Sequence, residues 1–424
     1  MLELPFLRNH RVQAIAGLAK RNIDAEAAVD RALALDEDRR SAQAELDRLQ
    51  SELNAISRSI GELMKSGARE EADTAKARTT ELKGSIDRAR ETMEAADQAL
   101  RDHLCSVPNS LLPAVPHGKS PVENTVILEQ GTPPNLHEGA LPHWELGERY
   151  DLLHMELGVK LTGAGFPVYT GKGARLQRAL IAFFLDKATE AGYQEIIPPH
   201  LVNADSAFAT GQLPDKEGQM YHVTGDDLYL IPTAEVPITN LYRDVILDQD
   251  RLPIAMVGYT PCFRREAGSY GKDVRGLNRV HQFDKVEIVR VEHPDRSQAA
   301  LEEMVEHVKG LLTDLGLPFR QLLLCGGDTG FASAMTYDME VYAAAQGRWL
   351  EVSSISNFGT FQSNRLKLRF RGENKKTVLA HTLNGSALAL ARILAAILEN
   401  NQTPDGIVIP QVLRSYTGFD LITA

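Results

Sequence analysis

An α+β fold that begins with an antiparallel coiled-coil hairpin is predicted by three observations. Two heptad series follow one another near the start of the chain. A proline-rich stretch ends them. The remainder mixes strand-like and helix-like runs without regular β–α–β alternation, which favours an antiparallel sheet flanked by helices.

The first heptad series is Ala42, Leu46, Leu49, Leu53, Ile56, Ile60 and Leu63, with steps that alternate between 4 and 3. After a break at Ser66-Gly67, the second series is Ala72, Ala75, Thr79, Leu82, Ile86, Ala89, Met93, Ala96 and Leu100. Apolar residues at an average spacing near 3.5 form the seam of a coiled coil, and a glycine-containing turn makes the pair antiparallel. A helix of roughly 37 residues would extend about 55 Å at ~1.5 Å per residue. Prolines at 108, 113, 116, 121, 133 and 134 then stop the helix and make a connector. The expected organisation is a helical domain at 1–106, a linker and the start of the next domain at 107–140, and the α+β domain at 141–424. Within it, Ala174–Ala191 is an amphipathic helix closed by Gly192. Strands are expected around Tyr259, over Val280–Val291 and over Trp349–Val352. An apolar helix, Ser386–Asn400, is expected to close the chain.

The 424 residues are 43% hydrophobic and 24% charged, a globular balance. No basic segment followed by an apolar run opens the chain, so no leader is expected. No run of about 20 apolar residues occurs, so no membrane span is expected. Cys105, Cys262 and Cys325 are far apart and form no CxxC pair, which fits a reducing cytoplasm. The net charge of -11 leaves nucleic-acid binding to a local basic patch.

Three groups of residues carry chemistry. Phe263-Arg264-Arg265-Glu266, a glycine-punctuated loop and Arg279-Val280-His281-Gln282-Phe283 read as a hairpin with a long tip. Residues two apart share a strand face, so Arg264 and Glu266 are expected to point one way, as are Phe283 and Glu287. Arg264 can grip a phosphate, Glu266 can accept from an adenine amino group, and Phe283 can stack on the base. The alternative is a surface hairpin with ordinary cross-strand ion pairs. In the closing helix, Arg392 is surrounded by Leu388, Leu390, Ile393, Leu394, Ile397 and Leu398, and a buried guanidinium needs an anion. That anion is either an internal carboxylate or a polyphosphate. Thr233-Ala234-Glu235 and Glu351-Val352-Ser353-Ser354 offer oxygen ligands of the kind Mg²⁺ takes beside a polyphosphate. Glu351 and Ser354 differ in strand parity, so both reach one cation only if the strand ends or bulges there. Alone, these two strings are too short to be specific. Gly163-Ala164-Gly165 and Gly171-Lys172-Gly173 complete no phosphate-loop pattern and read as turns. The histidines have no metal-ligand spacing, and no zinc site is expected.

FRREAGSYGKDVRGLNRVHQF resembles the second signature of class II aminoacyl-tRNA synthetases, Gly385–Glu399 with Arg392 resembles the third, and the helix leading into GYQEIIPP resembles the first. HWELGERYDLL, TGQLP, PTAEVP, EVSSISN, FQSNR and HTLNGSALA resemble the seryl-tRNA synthetases within that class. The likeness runs through the whole chain, including the hairpin arm. It implies a class II catalytic domain that activates serine with ATP and Mg²⁺. It implies ATP contacts at Arg264, Arg265, Glu266, Val280, Phe283, Glu351, Val352, Ser353, Ser354 and Arg392. Among these, Arg264 would hold the α-phosphate, Arg392 the γ-phosphate, and Glu351 with Ser354 the Mg²⁺. It implies a serine site at Thr233, Ala234, Glu235, Arg264, Glu287, Asn384 and Ser386. It also implies tRNA(Ser) as the partner of the arm, tRNA(Sec) where the organism has it, and a homodimer with Pro199 at its interface. One departure is Asp284, where relatives often have glutamate. Other class II ligases are less well matched: those that load carrier proteins lack the long arm, and threonine-specific enzymes carry zinc ligands. A non-catalytic coiled-coil scaffold would not need these charged residues intact.

Overall fold

The computed structural model describes residues 1–215, 217–266, 275–373 and 376–423. The tip expected between Glu266 and Arg275 lies outside the described residues. The chain divides into two compact units, Met1–Ala19 with Ile23–Ser110, and Lys20–Asn22 with Leu111–Ala424. Among the described residues, no helix is long and apolar enough to cross a membrane.

The first unit is dominated by α1 (Ala25–Ser66) and α2 (Arg69–Ser106). At 42 residues, α1 is about 63 Å long at ~1.5 Å per residue. Leu46, Leu49, Leu82 and Ile86 are buried in one seam, with Leu53, Ile56, Ala89 and Met93 packed on it. The predicted heptads therefore meet as an antiparallel pair. Asp24 caps the start of α1 by accepting from the Ala27 N–H. Gly67 ends it in the left-handed region at φ 81°, donating to the Leu63 carbonyl. Arg78 bridges the two helices to Glu52 at 2.8 Å.

The second unit is built on an eight-stranded sheet. Its strands are β1 (Thr125–Gln130), β2 (Gln194–Glu195), β3 (Ile254–Phe263), β4 (Gln282–Glu292), β5 (Phe319–Leu323), β6 (Met335–Ala343), β7 (Arg348–Gly359) and β8 (His381–Ala389). Their order across the sheet is β1-β5-β6-β7-β8-β4-β3-β2. Neighbours are antiparallel, except that the short edge strand β2 runs parallel to β3. One face packs against α3 (Gly171–Glu190), α5 (Ser297–Asp314) and α6 (Leu390–Asn400). Leu180, Phe184, Leu301, Met304, Ile393 and Ile397 of these helices share a core with Val286, Ile288, Met339 and Ile355 of the sheet. The other face is covered at one end by the short helix α4 (Glu235–Asn240), where Ile238 meets Met256 and Val289.

Two expectations are corrected here. The closing helix begins at Leu390, not Ser386, because Ser386–Ala389 pair with β4 as the end of β8. That strand is buried on both faces over Gly385–Leu388, and a continuous apolar run looks the same in a strand as in a helix. Second, β4 starts at Gln282, so Val280 precedes the strand. The chain also continues past α6 through the short strands Gln402–Thr403, Gly406–Val408 and Leu421–Ile422.

Candidate active site

Strand register assembles most of the candidate residues on the face opposite the large helices. Unbroken pairing of β4 with β3 puts Phe283, Lys285 and Glu287 on one side. Glu287 lies opposite Ser386 of β8, and Asn384, two residues away, shares that side. The Ser386 hydroxyl donates to Glu287 Oε2 at 3.4 Å, and Lys285 Nζ pairs with the same oxygen at 2.7 Å. Glu287 and Lys285 are both buried, so this pair is a charged floor inside the fold.

A second carboxylate enters from above. Glu235, at the start of α4, accepts from Gln362 Nε2 at 2.6 Å. Thr382 of β8 donates to the carbonyl end of the same Gln362 at 2.7 Å. Burial, and then the neighbouring charge of Glu287, pushes the Glu235 carboxyl up to about 7, while Gln362, Lys285 and Arg264 oppose the shift. Thr233 is buried and its Oγ1 accepts from the Glu235 N–H at 3.3 Å. Ala234 is buried in the adjoining core cluster.

Arg264 and Glu266 do not share a strand face, because β3 ends at Phe263 and Glu266 has φ 49°. Backbone and ring contacts hold them instead. The Arg264 N–H donates to the His281 carbonyl at 2.9 Å. Its guanidinium lies 5.3 Å from the Phe283 ring centre, a cation–π contact. Glu266 is ion-paired with Arg279. Arg265 is exposed and lies 6.0 Å from the Tyr221 ring centre. The Val280 side chain is buried in the main core, leaving its backbone to any ligand.

The parity conflict between Glu351 and Ser354 is resolved by a bulge. Met339 pairs with Ser353 and Glu340 with Glu351, so Val352 is the extra residue in β7. Glu351 and Ser354 thereby face the same way as Asp338 and Glu340 of β6, and as Ser386 and Glu287. Val352 turns into the core, and the Ser353 hydroxyl donates to the Ser386 carbonyl at 2.5 Å. Asp338 is buried, its Oδ1 has no hydrogen-bond partner among the described residues, and burial with the nearby Glu351 charge raises its pKa well above the ordinary aspartate value. The unused Asp338 oxygen is the feature a hard cation would take up beside Glu351 and Ser354, although among the described residues no group of three or more His, Cys, Asp or Glu side chains is arranged to hold a metal ion.

The expected enclosure of Arg392 is also corrected. Its side chain is 29% exposed rather than enclosed by apolar residues. Leu388 belongs to β8, and Arg392 sits on the open stripe of α6. Its Nε donates to the Asn278 carbonyl at 2.9 Å and its Nη1 to the Glu351 carbonyl at 2.7 Å. The Glu351 carboxylate is 3.7 Å away. Arg264, Glu287, Glu235, Ser386, Phe283 and the Glu351–Arg392 pair thus converge on one face.

Sequence reasoning misses Lys285, Gln362, Thr382, Asp338 and Arg279. Lys285 is the accessible one, since it lies between Phe283 and Glu287 at the same parity. Gln362 and Thr382 are brought to Glu235 only by the tertiary fold.

Comparison with known proteins agrees with this architecture. The model of the seryl-tRNA synthetase N-terminal domain matches residues 1–111. The model of the class II tRNA synthetase core domain (G, H, P, S and T) matches residues 221–401. A serine–tRNA ligase of Salinibacter ruber is 50% identical over 100% of both chains. One from Chlorobaculum parvum is 44% identical, again over 100% of both. The crystal structure of seryl-tRNA synthetase from Pyrococcus horikoshii complexed with ATP is similar at a TM-score of 0.92 and 34% identity, covering 100% of this chain and 99% of that one. Sequence and fold agree that the chain belongs to the seryl-tRNA synthetase family of class II aminoacyl-tRNA synthetases.

Proposed function

We propose that this chain is a serine–tRNA ligase: it activates L-serine with ATP and transfers the seryl group to the 3′ end of tRNA(Ser). The observation that carries the reading is the pair of buried carboxylates, Glu235 and Glu287, beside Ser386. A small zwitterion with a hydroxyl suits them. Its ammonium pairs with Glu235, whose raised pKa marks a carboxylate lacking a full countercharge. Thr233 and Ala234 frame that end. The hydroxyl is received by Glu287 and Ser386, with Asn384 beside them and Lys285 balancing the charge.

ATP lies along the same face. Phe283 stacks on adenine, Glu266 accepts from its amino group, and Val280 contributes backbone. Arg264 grips the α-phosphate, Arg392 the γ-phosphate, and Arg265 the outer edge. The ATP held by the Pyrococcus horikoshii synthetase supports this ligand. Glu351 and Ser354 would hold a Mg²⁺, with Asp338 behind them, and the backbone of Val352 and Ser353 lies at the same bulge. Bound there, the cation supplies charge neutralisation for the polyphosphate.

Activation joins a serine carboxylate oxygen to the α-phosphorus and breaks the bond from that phosphorus to the bridging oxygen, releasing pyrophosphate. Arg264 stabilises charge that builds on the α-phosphate, and Arg392 steadies the departing group. In the second step, the terminal ribose hydroxyl of the tRNA attacks the acyl carbon and AMP leaves. No protein nucleophile is required: burial pushes the Cys262 thiol up and keeps it protonated.

The hairpin of α1 and α2 is the tRNA-binding arm of a domain at 1–106. The catalytic domain occupies 141–424, and the stretch 107–140 contributes β1 to its sheet. The exposed Ile197 and Pro199, beside edge strand β2, support a homodimer interface. Three free, buried cysteines support a cytoplasmic location. Charging of purified tRNA(Ser) with labelled serine tests this reading. Serine should be esterified to tRNA(Ser) in the presence of ATP and Mg²⁺, and tRNA(Sec), where the organism has it, should be charged as well. Absence of charging on tRNA(Ser) would overturn the assignment.

A further inference from the structure

His143 opens the helix His143–Arg149 and is wholly buried, as is its partner Glu399 at the end of α6. The imidazole has a polar neighbour at each nitrogen. Nε2 is 2.8 Å from the Leu277 backbone nitrogen. A backbone N–H can only donate, so Nε2 carries no proton. Nδ1 therefore carries it, and donates to Glu399 Oε1 at 2.7 Å. The ring is neutral and fixed in one tautomer.

The bonds continue into a closed circuit. Gln346 Nε2 donates to the same Glu399 oxygen at 2.8 Å, and Asn278 Nδ2 donates to Gln346 Oε1 at 2.8 Å. The Asn278 carbonyl in turn accepts from Arg392 Nε at 2.9 Å. Arg392 and Glu399 lie seven residues, about two turns, apart on α6. The Leu277–Asn278 backbone is thus tied to that helix at two points, once by Arg392 directly and once by Glu399 through His143. Gly276 shows how close the ring stands. It has φ 64°, and a Cβ there would come within 2.3 Å of Nε2. Next to His143, Trp144 carries the Arg275 guanidinium 4.6 Å from its ring centre, a second anchor for the same segment.

We propose that His143, oriented by Glu399, is a positioning residue for the ATP site: it fixes the Leu277–Asn278 backbone whose carbonyl sets the orientation of Arg392. The inference rests on the reading of Arg392 as a polyphosphate contact. The two can fail separately.

The test compares His143→Asn, His143→Gln and Arg392→Ala in the full-length chain, with ATP–pyrophosphate exchange, equilibrium binding of ATP and Tm as readouts. Asparagine retains a donor for Glu399 but cannot reach Leu277. Its KM for ATP should rise about tenfold to hundredfold, the usual loss when a group that orients a functional side chain is removed. Its KM for serine should be unchanged, because the ring makes no contact with the residues read as the serine site. Glutamine places an oxygen near the Nε2 position and should recover most of the ATP affinity. His143→Asn added to Arg392→Ala should weaken ATP binding no further. If both His143 variants lower Tm and raise both KM values together, His143 is a packing residue and the proposal is overturned. If Arg392→Ala weakens ATP binding and His143→Asn does not, the positioning role alone fails. If Arg392→Ala leaves ATP binding unchanged, the Arg392 reading falls and takes this inference with it. Should His143→Asn not fold, His143→Gln carries the test alone: ATP affinity close to that of the unsubstituted chain is expected, and an equal loss for ATP and serine overturns the proposal.

Discussion

Glu235 and Glu287 share one buried face but stand in different electrostatic surroundings. Glu287 has the Lys285 ammonium at 2.7 Å, whereas Glu235 accepts from the neutral amide of Gln362 and is pushed up to about 7. An acid with a raised pKa is neutral below that value and charged above it. If Glu235 binds the serine ammonium, kcat/KM for serine should rise with pH, level off above about 7, and be about tenfold lower one unit below it. Glu235→Gln should abolish the inflection in a pH series of exchange rates. The same shift means that the empty protein loses stability as pH rises from the ordinary carboxylate range through about 7. For Glu287, truncation leaves the Ser386 hydroxyl and the Lys285 ammonium without this acceptor. Glu287→Ala should lower kcat/KM for serine at least about a hundredfold and erase the preference over alanine, measured by exchange with each amino acid. Residue types and local spacing are enough to single out Phe283, Glu287 and Arg264 as candidates. The environment of Arg392 is not legible in the same way, because the apolar run before it reads as helix four residues too early. The partner of Glu235 is invisible in the sequence because Gln362, itself held by Thr382, lies more than a hundred residues away.

At the scale of elements, periodicity decides what can be read. The 3.5-residue seam of α1 and α2 is legible because each heptad repeats the same instruction, and Gly67 marks the turn. Leu82 is almost completely buried in that seam. Leu82→Ala should cost about 2 kcal/mol or more and lower the melting temperature of the arm. Serine-dependent exchange should be unchanged, and the KM for tRNA should rise. By contrast, β8 and α6 are continuous in apolar character, and only the pairing of β8 with β4 places the boundary at Leu390. The β7 bulge lies between these extremes. The conflict between Glu351 and Ser354 requires a break in regular parity, and Val352 supplies it. The strands β5 and β6 are legible by the same rule: Pro318 and Gly326-Gly327 bracket the first, and Met335, Tyr337, Met339, Val341 and Ala343 alternate with Thr336, Asp338 and Glu340 in the second.

For the whole molecule, the proposed division of labour is between an arm that binds tRNA and a domain that performs the chemistry. Replacing residues 44–93, the part of the hairpin that contains the seam, with a short glycine linker should leave ATP–pyrophosphate exchange within about twofold. Charging of tRNA should fall by more than about a hundredfold, because the buried side chains of that stretch form a cluster of their own that the catalytic sheet does not share. On this proposal the residues of the sheet face and those of the arm serve different steps, and each step can be measured alone. The most direct measurement is ATP–pyrophosphate exchange with each of the twenty amino acids in turn, without tRNA. Exchange that depends on serine, with alanine and threonine far behind, is the result expected from a pocket of Glu235, Glu287 and Ser386. Exchange driven by a different amino acid, or by none, would contradict it.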